Sequence, residues 1–124
     1  MSTLKVNSIE PANAGSEDYF LARAWVTYSG VTTTSITADG NVSSLTDHGT
    51  GDTTIGFSTA LQHANYSISG SCRRQTANEL LMIDLPAVGR GYGDPSTSGC
   101  RIISRFTHTY ALDDAARNSV TVTA

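Results

Sequence analysis

“GNVSSLTDHGTGDTTIGF”, residues 40–57, contains two short runs of strand-forming residues on either side of a glycine-rich turn. In the second run, Thr53, Ile55 and Phe57 alternate with Thr54 and Gly56, so one face of the run is apolar. The first run, “NVSSLT”, is rich in hydroxyl side chains. The segment therefore predicts two strands joined by a turn.

The turn “DHGTGD” within this segment also carries side chains that could bind a metal ion or form an acid/base pair: Asp47, His48 and Asp52. A closed metal site needs about four ligands, and a calcium loop needs regularly spaced oxygen ligands that end in a bidentate Glu. Gly49 and Gly51 instead supply the positive φ of a tight turn, and the two aspartates can accept backbone N–H bonds at its ends. We interpret the segment as a turn without a metal or catalytic role.

Residues 3–9 predict a short leading strand. Similar alternation recurs along the rest of the chain, with main strands predicted over residues 22–28, 31–38, 41–46, 53–58, 66–71, 78–86, 100–112 and 119–124. Asp39-Gly40 predicts a type I′ hairpin between the second and third of these strands. The stretch 78–86 fits either a buried strand or one helical turn, and its length and Pro86 favour the strand. Residues 87–99 are rich in Gly and Pro and predict a long loop.

These elements predict an all-β fold, an antiparallel β-sandwich or jelly-roll-like domain of about seven to nine strands. A length of 124 residues suits one domain. We divide the chain into an N-terminal arm, residues 1–20, and a β-sandwich domain, residues 21–124. The core is expected to include Val26, Ile36, Leu45, Ile55, Phe57, Ile68, Ile83, Ile102, Phe106 and Val120.

The composition excludes several classes of function. About a quarter of the residues are Ser or Thr and 15% are charged, so the surface is covered by hydroxyls rather than ions. A net charge of −3 lacks the clustered Lys and Arg that nucleic-acid binding needs. Neither a membrane helix of about 20 apolar residues nor a signal peptide is evident. We expect a soluble protein that neither binds nucleic acid nor inserts into a membrane.

Signatures of catalysis are missing from the sequence. No G-x-S-x-G elbow surrounds any Ser, and “GRGYG” at residues 89–93 lacks the Lys-Ser/Thr of a phosphate loop. Asp113 and Asp114 would face opposite sides of a strand, which does not suit a glycosidase pair. Cys72 and Cys100 are too few and too far apart for a disulfide scaffold or a metal clasp, and are interpreted as free thiols. We therefore predict no catalytic residue, no metal and no cofactor, and hence no enzyme.

Two surface features have alternative interpretations. Arg73-Arg74 either contacts an acidic ligand or is a pair of solvated arginines at a strand end, and the second alternative is favoured. Trp25 either stacks on a sugar or is covered by a neighbouring subunit, and coverage is favoured.

Residues 22–71 resemble a domain of bacteriophage tail-fibre and other virion appendage proteins, especially those of marine phages. The resemblance lies in an Ala-Trp-Val strand, “NVSS” followed by Thr-Asp, a Gly-Thr-Gly-Asp turn, a strand ending in Phe, and “ANY” before the next strand. The start “STLKVNSI” is also similar to the start of such proteins. Residues 72–124 match less clearly, and residues 1–20 contain no shaft, coiled-coil or collagen-like repeat.

The resemblance implies a non-enzymatic structural protein on the exterior of a phage particle, assembled in the bacterial cytoplasm as a homo-oligomer, with a trimer favoured. A tail fibre, a tail-hub accessory and a capsid decoration all fit this description. The alternative is a module that binds a host receptor or glycan. Candidate receptor contacts are Arg90, Tyr92 and Tyr110.

The arm is too polar to add much to the core of the domain. We expect Leu4, Val6 and Ile9 to dock on a neighbouring subunit or another virion protein by adding a strand to an exposed sheet edge. Trp25 is the further candidate for an assembly contact.

Overall fold

A computed structural model describes residues 2–4, 21–75, 80–86 and 94–124 of the chain. Eight strands lie within these ranges: β1 (Ala22–Ser29), β2 (Ser35–Gly40), β3 (Val42–Gly49), β4 (Asp52–Phe57), β5 (Ser67–Arg73), β6 (Leu81–Asp84), β7 (Gly99–Phe106) and β8 (Arg117–Thr123). They form two sheets with every pairing antiparallel. Sheet A has the order β2-β1-β8-β5, and sheet B has the order β3-β4-β7-β6. The predicted all-β sandwich of about seven to nine strands is confirmed, with eight strands in two sheets.

The core lies between the two sheets and comes mainly from their central strands. β1 and β8 of sheet A face β4 and β7 of sheet B. In β1 and β8 alternate side chains are buried, as the two-residue period requires. β4 and β7 bury one further residue each, Asp52 and Ile103. The buried cluster comprises Ala24, Val26, Tyr28, Val42, Ile55, Phe57, Cys100, Ile102, Val120 and Val122. Leu45, Ile68 and Ile83 are partly buried and pack against it.

Most of the predicted core is confirmed, and Ile36 is wrong. Ile36 lies on β2, the edge strand of sheet A, where nearly every residue is exposed. β2 continues directly into β3, the edge strand of sheet B, and β3 is also mainly exposed. The sheets bury little of each other at this edge. Phe106 is only half-buried because it lies at the end of β7. The Arg74 guanidinium lies over one face of its ring.

The predicted hairpin at Asp39-Gly40 is wrong, because the strands on either side of it belong to different sheets. Gly40 pairs with Trp25 in sheet A, and Val42 pairs with Phe57 in sheet B. The passage between the sheets is made at Asn41, whose φ of 58° lies in the left-handed region that Asn tolerates better than most residues.

The side chain of Asn41 links both sheets at this crossing. Its Nδ2 donates to the carbonyl oxygen of Arg23 on β1 at 3.0 Å and to that of Thr59 after β4 at 3.1 Å. Its Oδ1 accepts the Thr59 N–H at 2.8 Å, and its own carbonyl accepts the Ser58 N–H at 3.1 Å. One side chain therefore closes the corner of the sandwich.

Element ends differ from the sequence predictions at several places. β7 ends at Phe106 rather than continuing to residue 112, because the chain turns at Tyr110, where φ is 60°. Leu112 then pairs with Arg105 through an isolated bridge. Of the predicted loop 87–99, residues 94–98 are described, and Ser96 and Gly99 close a tight turn there. Residues 5–9 of the predicted leading strand lie outside the described residues.

We predict that Asn41→Ala lowers the free energy of unfolding by about 2–4 kcal/mol. The change removes the three hydrogen bonds of the Asn41 side chain, and Ala tolerates positive φ less well than Asn does. Asn41→Gly should cost about 1 kcal/mol less, since Gly adopts that backbone freely. Urea unfolding measures both changes. The exposed Asn65→Ala is the control, expected to change stability by less than about 0.5 kcal/mol. Equal losses at Asn41 and Asn65 would show that the corner is not held in this way.

Candidate functional site

The turn between β3 and β4 does not gather its acidic and imidazole side chains around one point. Asp47 accepts the Gly49 N–H at 2.8 Å and the Thr34 hydroxyl at 2.9 Å, and these two bonds lower the pKa of its carboxyl group. His48 Nε2 lies 2.8 Å from the hydroxyl of Thr54. The predicted turn is confirmed, with positive φ at Gly49 and Gly51.

Asp52 does not cap the turn as predicted, because it is buried in an ion pair. Its two carboxylate oxygens accept Arg101 Nε and Nη2, both at 2.7 Å. Asp84 pairs with Arg105 through a single contact, in which Arg105 Nη2 donates to one carboxylate oxygen. Both aspartates lie directly opposite Ile103 in the ladder, so the two ion pairs lie on either side of that side chain on the outer face of sheet B.

Asp113 and Asp114 hold the turn to the last part of the chain rather than forming a carboxylate pair. Asp114 accepts the Gly51 N–H at 2.7 Å, and Asp113 accepts Arg74 Nε at 3.0 Å. Arg74 also lies 4.8 Å from the centre of the Phe106 ring. Arg74 is therefore a structural residue, contrary to the interpretation of a solvated pair, and only Arg73 of that pair faces solvent. Among the described residues, no group of three His, Cys, Asp or Glu side chains is arranged to hold a metal ion.

The outer face of sheet A is chemically different. Trp25 points outward from β1, lies across Gly40 of β2, and remains 42% exposed. The outward side chains of the neighbouring strands are nearly all hydroxyls. We name this surface the hydroxyl face: Trp25, Thr27, Ser67, Ser69, Ser71, Ser119, Thr121 and Thr123.

The pairing of β1, β8 and β5 arranges the side chains of the hydroxyl face in rows across the three strands. Ser69 lies opposite Thr121, which in turn lies opposite Trp25. The next outward rank contains Ser71, Ser119 and Thr27, and the Thr27 and Ser119 hydroxyl oxygens are 3.4 Å apart. The hydroxyl face therefore presents regular rows of hydrogen-bond donors and acceptors beside one aromatic ring.

Two arginines end the hydroxyl face. Arg73 at the end of β5 lies directly opposite Arg117 at the start of β8, and both are exposed. With the neighbouring Ser71 and Ser119, they line a shallow depression of about 270 Å³. Sequence reasoning noted Arg73 but missed Arg117, because the two meet only through the register of strands that are distant in sequence.

Tyr110, a predicted receptor contact, lies on the opposite side of the sandwich from Trp25. Its ring is 62% exposed and contacts the Arg105 guanidinium, with 5.1 Å between the guanidinium carbon and the ring centre. Met82 and Leu112 lie opposite Arg105 on its two sides and are also exposed. We name Met82, Tyr110 and Leu112 the β6 patch. Trp25 and Tyr110 cannot contact one small ligand together.

The remaining predicted site residues are placed as follows. Leu4 is described and is 87% exposed. Val6, Ile9, Arg90 and Tyr92 lie outside the described residues.

Comparison with protein-family models, with curated proteins and with solved structures finds no match. The arguments about function therefore use the surfaces described above and the sequence resemblance. In the described ranges, no helix is long and apolar enough to cross a membrane.

The two cysteines are free and lie in different sheets. Burial raises the pKa of the Cys100 thiol to about 11 and also raises that of Cys72, which is half-buried. The thiolate is the reactive form of cysteine, so both thiols are protected at neutral pH.

We predict that Ellman's reagent at pH 8 modifies Cys72 slowly and Cys100 far more slowly, because only about 0.1% of a thiol with a pKa near 11 is thiolate at that pH. Cys72→Ser and Cys100→Ser separate the two rates, and unfolding in urea should make both thiols react. Rapid modification of Cys100 in the folded protein would contradict its burial between the sheets.

Proposed function

We propose that this protein is a structural, non-enzymatic subunit on the exterior of a bacteriophage particle, as a tail fibre or another appendage, and that it assembles as a homo-oligomer, with a trimer favoured. The observation that carries the proposal is the ordered set of short motifs in residues 22–71 that resemble virion appendage domains. In this proposal the subunit is made in the bacterial cytoplasm and joins other virion proteins there.

The places of these motifs in the fold support the proposal. Ala24, Trp25 and Val26 lie on β1, and the Asn of “NVSS” is the residue at the crossing between the sheets. Gly-Thr-Gly-Asp forms the β3–β4 turn and contributes Asp52 to its ion pair. The hydroxyl oxygen of Tyr66 in “ANY” lies 3.0 Å from both the Ser96 and the Gly99 carbonyl oxygens, which share its one proton. Residues that shape the sandwich are therefore those that carry the resemblance.

The β6 patch supports assembly through contact with another copy of the chain. Met82, Tyr110 and Leu112 form an apolar surface around Arg105, and β6 is the edge strand of sheet B among the described residues. Leu80 and Leu85 are exposed at the two ends of β6. Contiguous exposed apolar residues mark interaction surfaces, and an edge strand offers unpaired backbone groups.

We predict that the purified protein has three times the 13.1 kDa chain mass in light scattering after size exclusion. Met82→Lys should shift the mass toward the monomer, because it places a charge within the β6 patch. Ile36→Lys, an exposed apolar residue on the edge strand of the other sheet, is the matched control and should leave the mass unchanged. A monomer at high protein concentration, or equal effects of the two changes, would contradict assembly through this surface.

Location on the particle needs a separate measurement. Antibodies raised against the purified protein should label intact phage particles in electron micrographs, and mass spectrometry should find the protein in purified particles. Detection in infected cells without any in the particles would overturn the proposal.

The arm extends the same proposal, because Leu4 is exposed and the arm is expected to dock outside its own domain. We predict that deletion of residues 2–18 leaves the urea midpoint of the domain nearly unchanged but reduces incorporation into particles. Ready unfolding of the truncated protein, or incorporation equal to that of the full chain, would show that the arm is part of the core or is dispensable.

A second candidate function is a module that binds a host receptor or glycan. It is favoured by the position of Trp25, which is 42% exposed, among hydroxyl side chains on the outer face of sheet A. The two functions are compatible in one appendage. An isolated binding module should have affinity for host envelope glycans, whereas a purely structural subunit should bind virion components alone.

A further inference from the structure

Arg73 and Arg117 place two positive charges side by side at one end of the hydroxyl face. Like charges directly opposite each other across two strands destabilise a sheet. Within the described ranges neither arginine has a carboxylate partner. The acidic residues nearest to Arg117 in the chain are engaged elsewhere, Asp113 with Arg74 and Asp114 with the Gly51 N–H. In the part of the chain that the structure describes, two cations therefore lie together without a carboxylate partner, on a protein whose net charge is −3.

The chemistry of this pair suits a carboxylate or sulfate group. A guanidinium presents planar N–H donors that match the oxygens of such anions. Ser71 and Ser119 add hydroxyls at the next position along both strands and share the depression of about 270 Å³. An anion bound between the two arginines would also relieve their mutual repulsion.

The rest of the hydroxyl face indicates what carries the anion. From Arg117 to Thr121 the strand advances by about 13 Å, and Trp25 lies beside Thr121. The hydroxyls along this path can exchange hydrogen bonds with sugar hydroxyls, and the exposed indole provides an apolar surface for a sugar ring. A saccharide chain matches this sequence of charged, hydroxyl and aromatic groups better than a bare phosphate chain does.

We propose that the hydroxyl face binds an acidic polysaccharide, with its carboxylate or sulfate group between Arg73 and Arg117 and a sugar ring against Trp25. This inference rests on the receptor-binding form of the proposed function and names its ligand class. It needs no conformational change, since all three side chains are already exposed on one face.

The test measures the binding of alginate, dextran sulfate and neutral dextran to the purified full chain by calorimetry in about 0.15 M salt, where weak surface attraction is screened. Trp25 is the single tryptophan of the sequence, so its fluorescence also reports binding. We expect saturable binding of at least one acidic polysaccharide and none of neutral dextran. The alginate and dextran sulfate arms distinguish carboxylate from sulfate.

Matched variants locate the binding. Arg117→Gln should weaken it about tenfold, since it removes charged donors to the anion. Arg23→Gln, which removes the same charge from β1 at the other end of sheet A, should change affinity by less than about twofold. Trp25→Ala should weaken polysaccharide binding, with calorimetry replacing the lost fluorescence signal. The urea midpoints of both Arg variants should not fall, which separates binding from folding.

Several results would overturn the inference. The first is the absence of saturable binding to both acidic polysaccharides. The second is an equal loss of affinity in Arg117→Gln and Arg23→Gln. The third is binding of polyphosphate that is as tight as that of dextran sulfate and is not weakened by Trp25→Ala. If binding fails while antibodies still label the particles, the structural function stands and the glycan inference alone is wrong.

Discussion

The sandwich depends on how the chain passes from one sheet to the other at Asn41. Gly40 is still paired in sheet A and Val42 is already paired in sheet B, so the change of sheet occupies one residue. That residue needs a positive φ, and its side chain bonds to β1 and to the segment after β4. Because β1–β2 and β3–β4 are each local hairpins, this corner is what brings the two hairpins face to face.

A second junction closes the other end of the sandwich. Gly51 donates to Asp114 and accepts the Ser104 N–H at 2.8 Å, so the β3–β4 turn is tied to β7 and to the segment before β8. Asp113 continues the contact through Arg74 and through the Ser104 hydroxyl, at 2.6 Å from the Asp113 carbonyl oxygen. Asp113 and Asp114 therefore hold the turn and the last loop together, and hydrogen bonds to charged groups contribute more to stability than neutral ones do.

The outer faces of the two sheets differ in chemical character. Sheet B carries ion pairs around Ile103 and the apolar β6 patch, which suits contact with another protein subunit. Sheet A carries hydroxyls, one indole and two arginines, which suits a solvated ligand. One sandwich can in this way present an assembly surface and a binding surface on opposite sides.

The two-residue alternation was sufficient to predict the fold class, most strand positions and a core that includes Val26, Ile55 and Ile102. It could not distinguish a hairpin turn from a crossing between sheets at Asp39-Gly40, since both need a residue at positive φ. Ile36 was misplaced because alternation does not tell an edge strand from a central one. The pair of Arg73 and Arg117 was missed because the pairing of β5 with β8 is a tertiary property that no local pattern contains.

The most direct test of this account is the strand pairing around Asn41, measured by nuclear Overhauser contacts in isotope-labelled protein. Directly opposite residues of antiparallel strands have Cα atoms about 4.5–5.5 Å apart, which brings their protons within range. The account predicts contacts between Gly40 and Trp25 and between Val42 and Phe57. A continuous ladder between residues 35–38 and 41–44, as in a hairpin closed at Asp39-Gly40, would contradict it.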